Sequence, residues 1–133
     1  MPIRPTQFDQ VATALELILR ELPPKLIAID GRAGAGKTTL GRFLAWYFNS
    51  TLIELDLFLT QGGLVHGHVD IERIIKRRID GSRPIFVEGV TILKVLEVIQ
   101  KPQDYLIYVR NLKCPRGLGF CRELDEYEKH FRP

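Results

Sequence analysis

Eight consecutive residues carry the clearest chemistry in this chain: Gly31-Arg32-Ala33-Gly34-Ala35-Gly36-Lys37-Thr38. They match the spacing G-x-x-x-x-G-K-[ST], a loop that cradles phosphate groups. Small residues let the backbone wrap an anion with its N–H groups turned inward. A helix opening near Lys37 adds further N–H groups and the positive end of its dipole. Lys37 can set its ammonium against the β- and γ-phosphates of a nucleoside triphosphate, and the Thr38 hydroxyl can ligate Mg²⁺. Thr39 is a lesser candidate, for the α-phosphate. The competing reading is a glycine-rich turn that binds nothing. That reading leaves a lysine beside stacked N–H groups with no anion to offset it. The segment is therefore expected to bind a nucleoside triphosphate, ATP, with Mg²⁺.

Such a loop needs a strand before it and a helix after it. Leu26-Ile27-Ala28-Ile29 precedes it directly. This run is apolar on both faces, which predicts a strand covered on both sides, as in a parallel sheet. A helix is predicted from Lys37 to about Phe48, then a strand over residues 51–55. The glycine-rich segment 60–67 reads as a loop. Asp70 can cap a helix through Ile71, Ile74, Ile75 and Arg78, closed by Gly81. Residues 84–87 predict a third strand, 91–100 a helix, 105–109 a fourth strand and 118–130 a weaker helix. Upstream, Phe8, Val11, Ala12, Leu15, Ile18, Leu19 and Leu22 recur at helical spacing. Thr6 is the expected cap of that helix, with Asp9 three residues on, and Pro23-Pro24 its expected end.

Strands alternating with helices favour an α/β fold, with three layers and a mostly parallel sheet of four or five strands. The 133 residues read as one domain. Residues 1–24 form an N-terminal helix packed on it, and residues 110–133 a short lid-like and C-terminal helical segment.

Composition excludes more than it selects. With 45% hydrophobic and 26% charged residues the chain is neither disordered nor a coiled coil. The net charge of +3 is spread along the sequence. Lys76-Arg77-Arg78 shares its segment with Glu72 and Asp80, which reads as a solvated helix face rather than a nucleic-acid patch. Cys114 and Cys121 fit no common zinc spacing and are expected to be reduced. Neither a signal peptide nor a membrane-spanning run is visible, so a cytoplasmic location is expected. The partners expected are a nucleoside triphosphate and a small-molecule acceptor, with a homodimer left open.

Beyond the loop, the order of segments resembles the uridine kinase group of nucleoside kinases. Residues 26–31 running into the loop and then Thr38-Thr39-Leu40 are similar to that group's opening. Leu55-Asp56-Leu57-Phe58 resembles its D-x-F-[YL] segment, and Phe86-Val87-Glu88-Gly89-Val90 its hydrophobic-E-G segment in the Walker B place. Residues 104–109 resemble its fourth strand, and residues 127–133, more weakly, a Q-Y-x-x-x-V-R-P segment. The likeness spans most of residues 27–109, and only the loop is highly specific. It implies a P-loop NTPase fold of nucleoside kinase type, and a kinase moving the γ-phosphoryl group of ATP to a hydroxyl of a nucleoside-like or other small acceptor.

By this resemblance Asp56 is the catalytic base, Lys37 and Glu88 complete the catalytic set, and Glu88 or Asp56 steadies Mg²⁺ through water while Thr38 ligates it. Phosphoryl transfer to a hydroxyl does need a carboxylate for the departing proton. Position alone also admits Asp56 and Glu88 as residues that merely close strands. Asp30 is expected to cap the helix or loop. His66 and His68 stand where an acceptor contact is conceivable, although solvated loop histidines are the commoner case. One of Arg110, Arg116 and Arg122 is expected to serve as a lid arginine.

Two departures from the group remain. Only a short segment separates Arg78 from Glu88, where the group carries a longer nucleoside-gripping insertion. The lid region after Val109 is also short. These features favour a second class, a nucleotide-binding module or slow NTPase without an acceptor. A guanine-specific GTPase is disfavoured, since no N-K-x-D motif occurs.

Overall fold

A computed structural model of the chain describes residues 5–21, 25–31, 35–58, 68–81 and 83–109. The apolar run before the loop becomes β1 (Leu26–Gly31), buried along its whole length. It is flanked by β3 (Ile85–Glu88), also fully buried, and by β4 (Tyr105–Val109); β2 (Thr51–Glu54) lies outside β3. The order is β2-β3-β1-β4, and every pairing is parallel. The register sets Ile29 against Glu88, Glu54 against Glu88, and Gly31 against Val109.

Strand alternation decides what each sheet face buries. Ile27, Ile29 and Phe86 pack with Ala12, Leu15 and Leu19, and with Leu40, Leu44 and Phe48. This layer is α1 (Pro5–Ile18) and α2 (Lys37–Tyr47). Leu26, Ala28, Ile53 and Val87 meet Ile71, Ile75, Ile92 and Leu96 on the other face. There lie α3 (His68–Ile79) and α4 (Ile92–Val98). The result is an α/β fold with a four-stranded all-parallel sheet and helices on both faces. Each large aliphatic side chain so buried contributes about 1.5–3 kcal/mol.

The connections fix where a ligand would sit. From β1 the chain crosses through α2 to the outer strand β2, then steps back on the opposite face through α3 to β3 and α4 to β4. Opposite directions on opposite faces give all three crossovers the same hand, as parallel connections require. The neighbouring strands β1 and β3 therefore send their chains to opposite faces. Their carboxyl ends bound a crevice, where ligands of open α/β sheets bind.

Several boundaries differ from those expected. Helix α1 starts at Pro5, whose missing N–H suits a first turn, so Thr6 lies inside the helix rather than at its cap. It ends at Ile18, four residues short of Leu22; Leu22, Pro23 and Pro24 lie outside the described residues. Strand β2 stops at Glu54 because Leu55–Phe58 wind into a 3₁₀ turn. Asp70 is the third residue of α3 rather than its cap, and its carboxylate accepts from Arg73 Nη2 at 3.3 Å. Gly81 lies two residues beyond α3, its N–H donating to the Arg78 carbonyl at 3.0 Å. Strand β3 begins one residue after Pro84, and α4 is shorter than residues 91–100, its cap residue Thr91 making no side-chain capping bond. No helix among the described residues is long and apolar enough to cross a membrane.

Candidate functional site

At the end of β1 the chain turns from strand to helix, and two glycines make the turn feasible. A Cβ on Gly31 would stand 2.6 Å from the Val109 carbonyl oxygen of β4 and 3.3 Å from Cγ and Cδ of Lys37. Gly31 thus lets the lysine stem lie over the strand end. Gly36, the residue before α2, has φ 101° and ψ 15°, a left-handed conformation that glycine adopts without the Cβ penalty. Helix α2 opens with no side-chain cap, and its first residue, Lys37, is only 6% exposed. Of the predicted loop, Gly31, Ala35, Gly36, Lys37, Thr38 and Thr39 are described; Thr39 is exposed. Arg32, Ala33 and Gly34 lie outside the described residues.

Across the crevice, β3 ends in Glu88, which is 1% exposed. Alternation along Phe86-Val87-Glu88 puts its carboxylate on the α2 face, where Thr38 Oγ1 donates to Oε1 at 2.9 Å. A lone buried carboxylate is costly in its charged form. Burial accordingly pushes the Glu88 carboxyl above its ordinary range, against the lowering effect of the Thr38 hydrogen bond. Asp56 and Glu54 push it further up, while the Lys37 ammonium pulls it down. Residues far apart in sequence thus act on one carboxyl group: Lys37 and Thr38 from α2, Glu54 from β2, Asp56 from the 3₁₀ turn.

The turn that carries Asp56 is tied to β3 by close packing. A Cβ on Gly89 would meet Leu55 Cδ1 at 2.7 Å, so the missing side chain lets the turn sit against the end of β3. Asp56 itself is exposed, in contrast to Glu88. Asp30 is buried, and its Oδ1 accepts from the N–H of the adjacent Gly31 at 2.9 Å, at the end of β1; residues 32–34 of the loop it is expected to cap lie outside the described residues. His68 is the first residue of α3; His66, the loop 60–67, Arg110, Arg116, Arg122 and both cysteines lie outside the described residues, as does the expected helix at 118–130.

Glu54 and Arg42 belong to this neighbourhood although the motifs do not mark them. Arg42 Nη2 lies 2.7 Å from Glu54 Oε1, and its Nε donates to the same oxygen at 2.9 Å. The register pairs Glu54 with Glu88, so the Arg42 guanidinium offsets one carboxylate beside another. The signal was present: alternation through Leu52-Ile53-Glu54 places Glu54 on the same face as Leu52, toward α2.

The donor set suits a hard cation. Mg²⁺ is held through one or two carboxylates together with ligand phosphates, rather than by a cage of protein groups. Thr38 Oγ1 and the Glu88 carboxylate are oxygens of that kind. Among the described residues no group of three or more His, Cys, Asp and Glu could hold a metal unaided. A buried ammonium, a hydroxyl, a buried carboxylate and an exposed carboxylate therefore gather at one crevice. No family model, curated protein or solved structure matches this chain.

Proposed function

We propose that residues 31–38 are a P-loop, and that the protein binds Mg²⁺-ATP and transfers the γ-phosphoryl group to a hydroxyl of a small acceptor. The observation that carries the reading is the hydrogen bond from Thr38 to buried Glu88, beside buried Lys37, at the carboxyl ends of β1 and β3. Lys37 would neutralise charge on the β- and γ-phosphates. Thr38 would turn its oxygen from Glu88 toward Mg²⁺, leaving Glu88 to hold a metal-bound water. When bound, the ion supplies charge neutralisation on the phosphate oxygens. Asp56 would accept the acceptor's proton as its oxygen bonds to the γ-phosphorus. The bond to the bridging oxygen then breaks, and ADP leaves with the electron pair. The resemblance to the uridine kinase group supports this hydroxyl chemistry.

A second reading, a nucleotide-binding module without an acceptor, draws on one feature. After α3 the chain passes through a turn at Asp80-Gly81 and enters β3 at Ile85, with no inserted strand pair to grip a nucleoside. ADP release with Mg²⁺, measured alone and with nucleosides, sugars and vitamin-like alcohols, separates the two. Stimulation by one compound establishes the kinase and names its acceptor class. ATP binding with no stimulation by any compound replaces it with the module.

A further inference from the structure

The outer face of the α1–α2 layer does no work in the proposed chemistry, yet it exposes large apolar groups beside a groove. Leu17 on α1 is 78% exposed and Trp46 on α2 is 75% exposed. Trp46 lies against Phe43 with the rings tilted by 42° and their centroids 6.0 Å apart, and Phe43 meets Tyr47 at 5.9 Å, so an aromatic ridge rises from the core to the surface. Between the helices lies a cavity of about 660 Å³, with Leu17, Leu19, Tyr47 and Phe48 among its apolar lining. Ridge and groove therefore share one face.

We propose that this face is the interface of a homodimer, in which Leu17 and Trp46 of one copy enter the groove of the other. A two-fold contact uses the same patch on both copies, so it must be self-complementary in shape and charge. The patch carries both parts, since exposed Leu17 stands on the groove's own wall and Tyr47 joins that wall to the ridge that ends in Trp46. Charge is met along α1 and the turn after it: Asp9 and Glu16 lie on the helix and Arg20 two residues past its end, and Glu16, Arg20 and Arg83 all line the groove, the two arginines at the end beyond Glu16. A two-fold axis across the groove sets the acidic end of one copy against the basic end of the other. Two hydrogen bonds hold the walls beforehand: Tyr47 donates to Glu16, and Arg83 Nη1 to the Asn49 carbonyl at 3.1 Å. Fixing these side chains in advance lowers the ordering cost of association. Exposed aromatics supply area efficiently. Trp46 and Tyr47 together offer on the order of 200 Å² per copy, against about 800 Å² per partner in a standard interface. Leu17 and the groove walls add to that.

Sedimentation equilibrium and fluorescence on the full chain test this directly. Trp46 is the single tryptophan, so its emission reports this face alone. The expected mass at high micromolar concentration is twice the 15.3 kDa of one chain, falling on dilution with a red shift of the emission. Leu17→Glu and Trp46→Ala should each weaken the dimer at least about ten-fold with unchanged circular dichroism, because both side chains are exposed in the single copy. A mass of one chain at several hundred micromolar overturns the proposal, and is also the outcome if a different protein covers this face. A dimer that survives either substitution, or whose emission does not move with dilution, overturns it as well.

Discussion

Replacing Glu88 by glutamine should raise stability without nucleotide and lower it with nucleotide. In the folded chain burial holds the Glu88 carboxyl above its ordinary range, so the folded state binds that proton more tightly than the unfolded state. The stability this group contributes is complete below the ordinary carboxylate range and is lost as pH rises through the raised value. Relative to low pH, this group is therefore a net cost at pH 7. Burying an ion costs several kcal/mol. The Thr38 hydrogen bond at 2.9 Å returns about 1.5–3 kcal/mol, since its acceptor is charged. Glutamine keeps an oxygen for Thr38 and removes the charge. The variant should gain about 1–2 kcal/mol at pH 7, a rise in Tm of about 3–8 °C for a domain of this size. At pH 4 the gain should shrink toward zero, because the wild-type group is then protonated. Mg²⁺-ATP at a hundred-fold excess over Kd adds about 2.7 kcal/mol to the wild type. The variant, having lost the carboxylate that steadies the ion, should gain much less, so the two Tm values should cross. Scanning calorimetry at pH 4 and pH 7, with and without Mg²⁺-ATP, reads all four values. A variant less stable than wild type at pH 7 without nucleotide, or a difference identical at both pH values, refutes the reasoning.

Lys37→Ala removes the ammonium expected to face the phosphates, and titration calorimetry should show Mg²⁺-ATP bound at least about 30-fold more weakly, as for a charged hydrogen bond. Unchanged affinity would remove the phosphate-binding reading altogether. Asp56→Asn should leave that affinity intact and cut kcat by about 10²–10⁴, the usual contribution of a general base; turnover within a factor of two of wild type rules out that role. Gly31→Ala places a Cβ 2.6 Å from the Val109 carbonyl, and parting β1 from β4 should cost about 1–3 kcal/mol in urea unfolding. A cost below about 0.5 kcal/mol would show that the strand pair yields freely at that point.

The sheet was legible because its strands are short apolar runs. Leu26-Ile27-Ala28-Ile29 cannot lie at a surface, and it forms the core of β1. The fourth strand, Tyr105–Val109, starts and ends where the residues alone put it. Misplaced boundaries fall where apolar pattern and local geometry part company. Leu55 continues the apolar run of β2, yet it turns into a 3₁₀ segment because its side chain packs against the space left by Gly89. That contact joins residues 34 positions apart and has no local signature. The same holds for the site. Lys37 and Thr38 could be named from the loop, but the Thr38–Glu88 bond spans fifty residues and depends on the strand order. Strand order is set by which crossover lies on which face, and only the packed helices decide that.

The distribution of locally unfavourable features bears on whether this crevice works. Among the described residues the buried polar and charged side chains are Asp30, Lys37, Glu88 and Thr91. Asp30 and Glu88 lie at the carboxyl ends of β1 and β3, Lys37 opens the helix that follows β1, and Thr91 stands three residues past Glu88. All four therefore crowd one edge of the sheet. The left-handed Gly36 and the uncapped start of α2 fall at that same edge. The left-handed residues at the opposite edge, Asn49 and Gln100, are ordinary helix ends and bury no charge. Apolar replacements of buried charges are often neutral or stabilising, so stability alone gives no reason to keep these. Sequences agree with their fold at every level except where another demand competes. A bound anion would lie against the buried ammonium of Lys37 at the amino-terminal end of α2, and its cation against the buried carboxylate of Glu88. The buried charge of this fold is thus concentrated where Mg²⁺-ATP is proposed to bind.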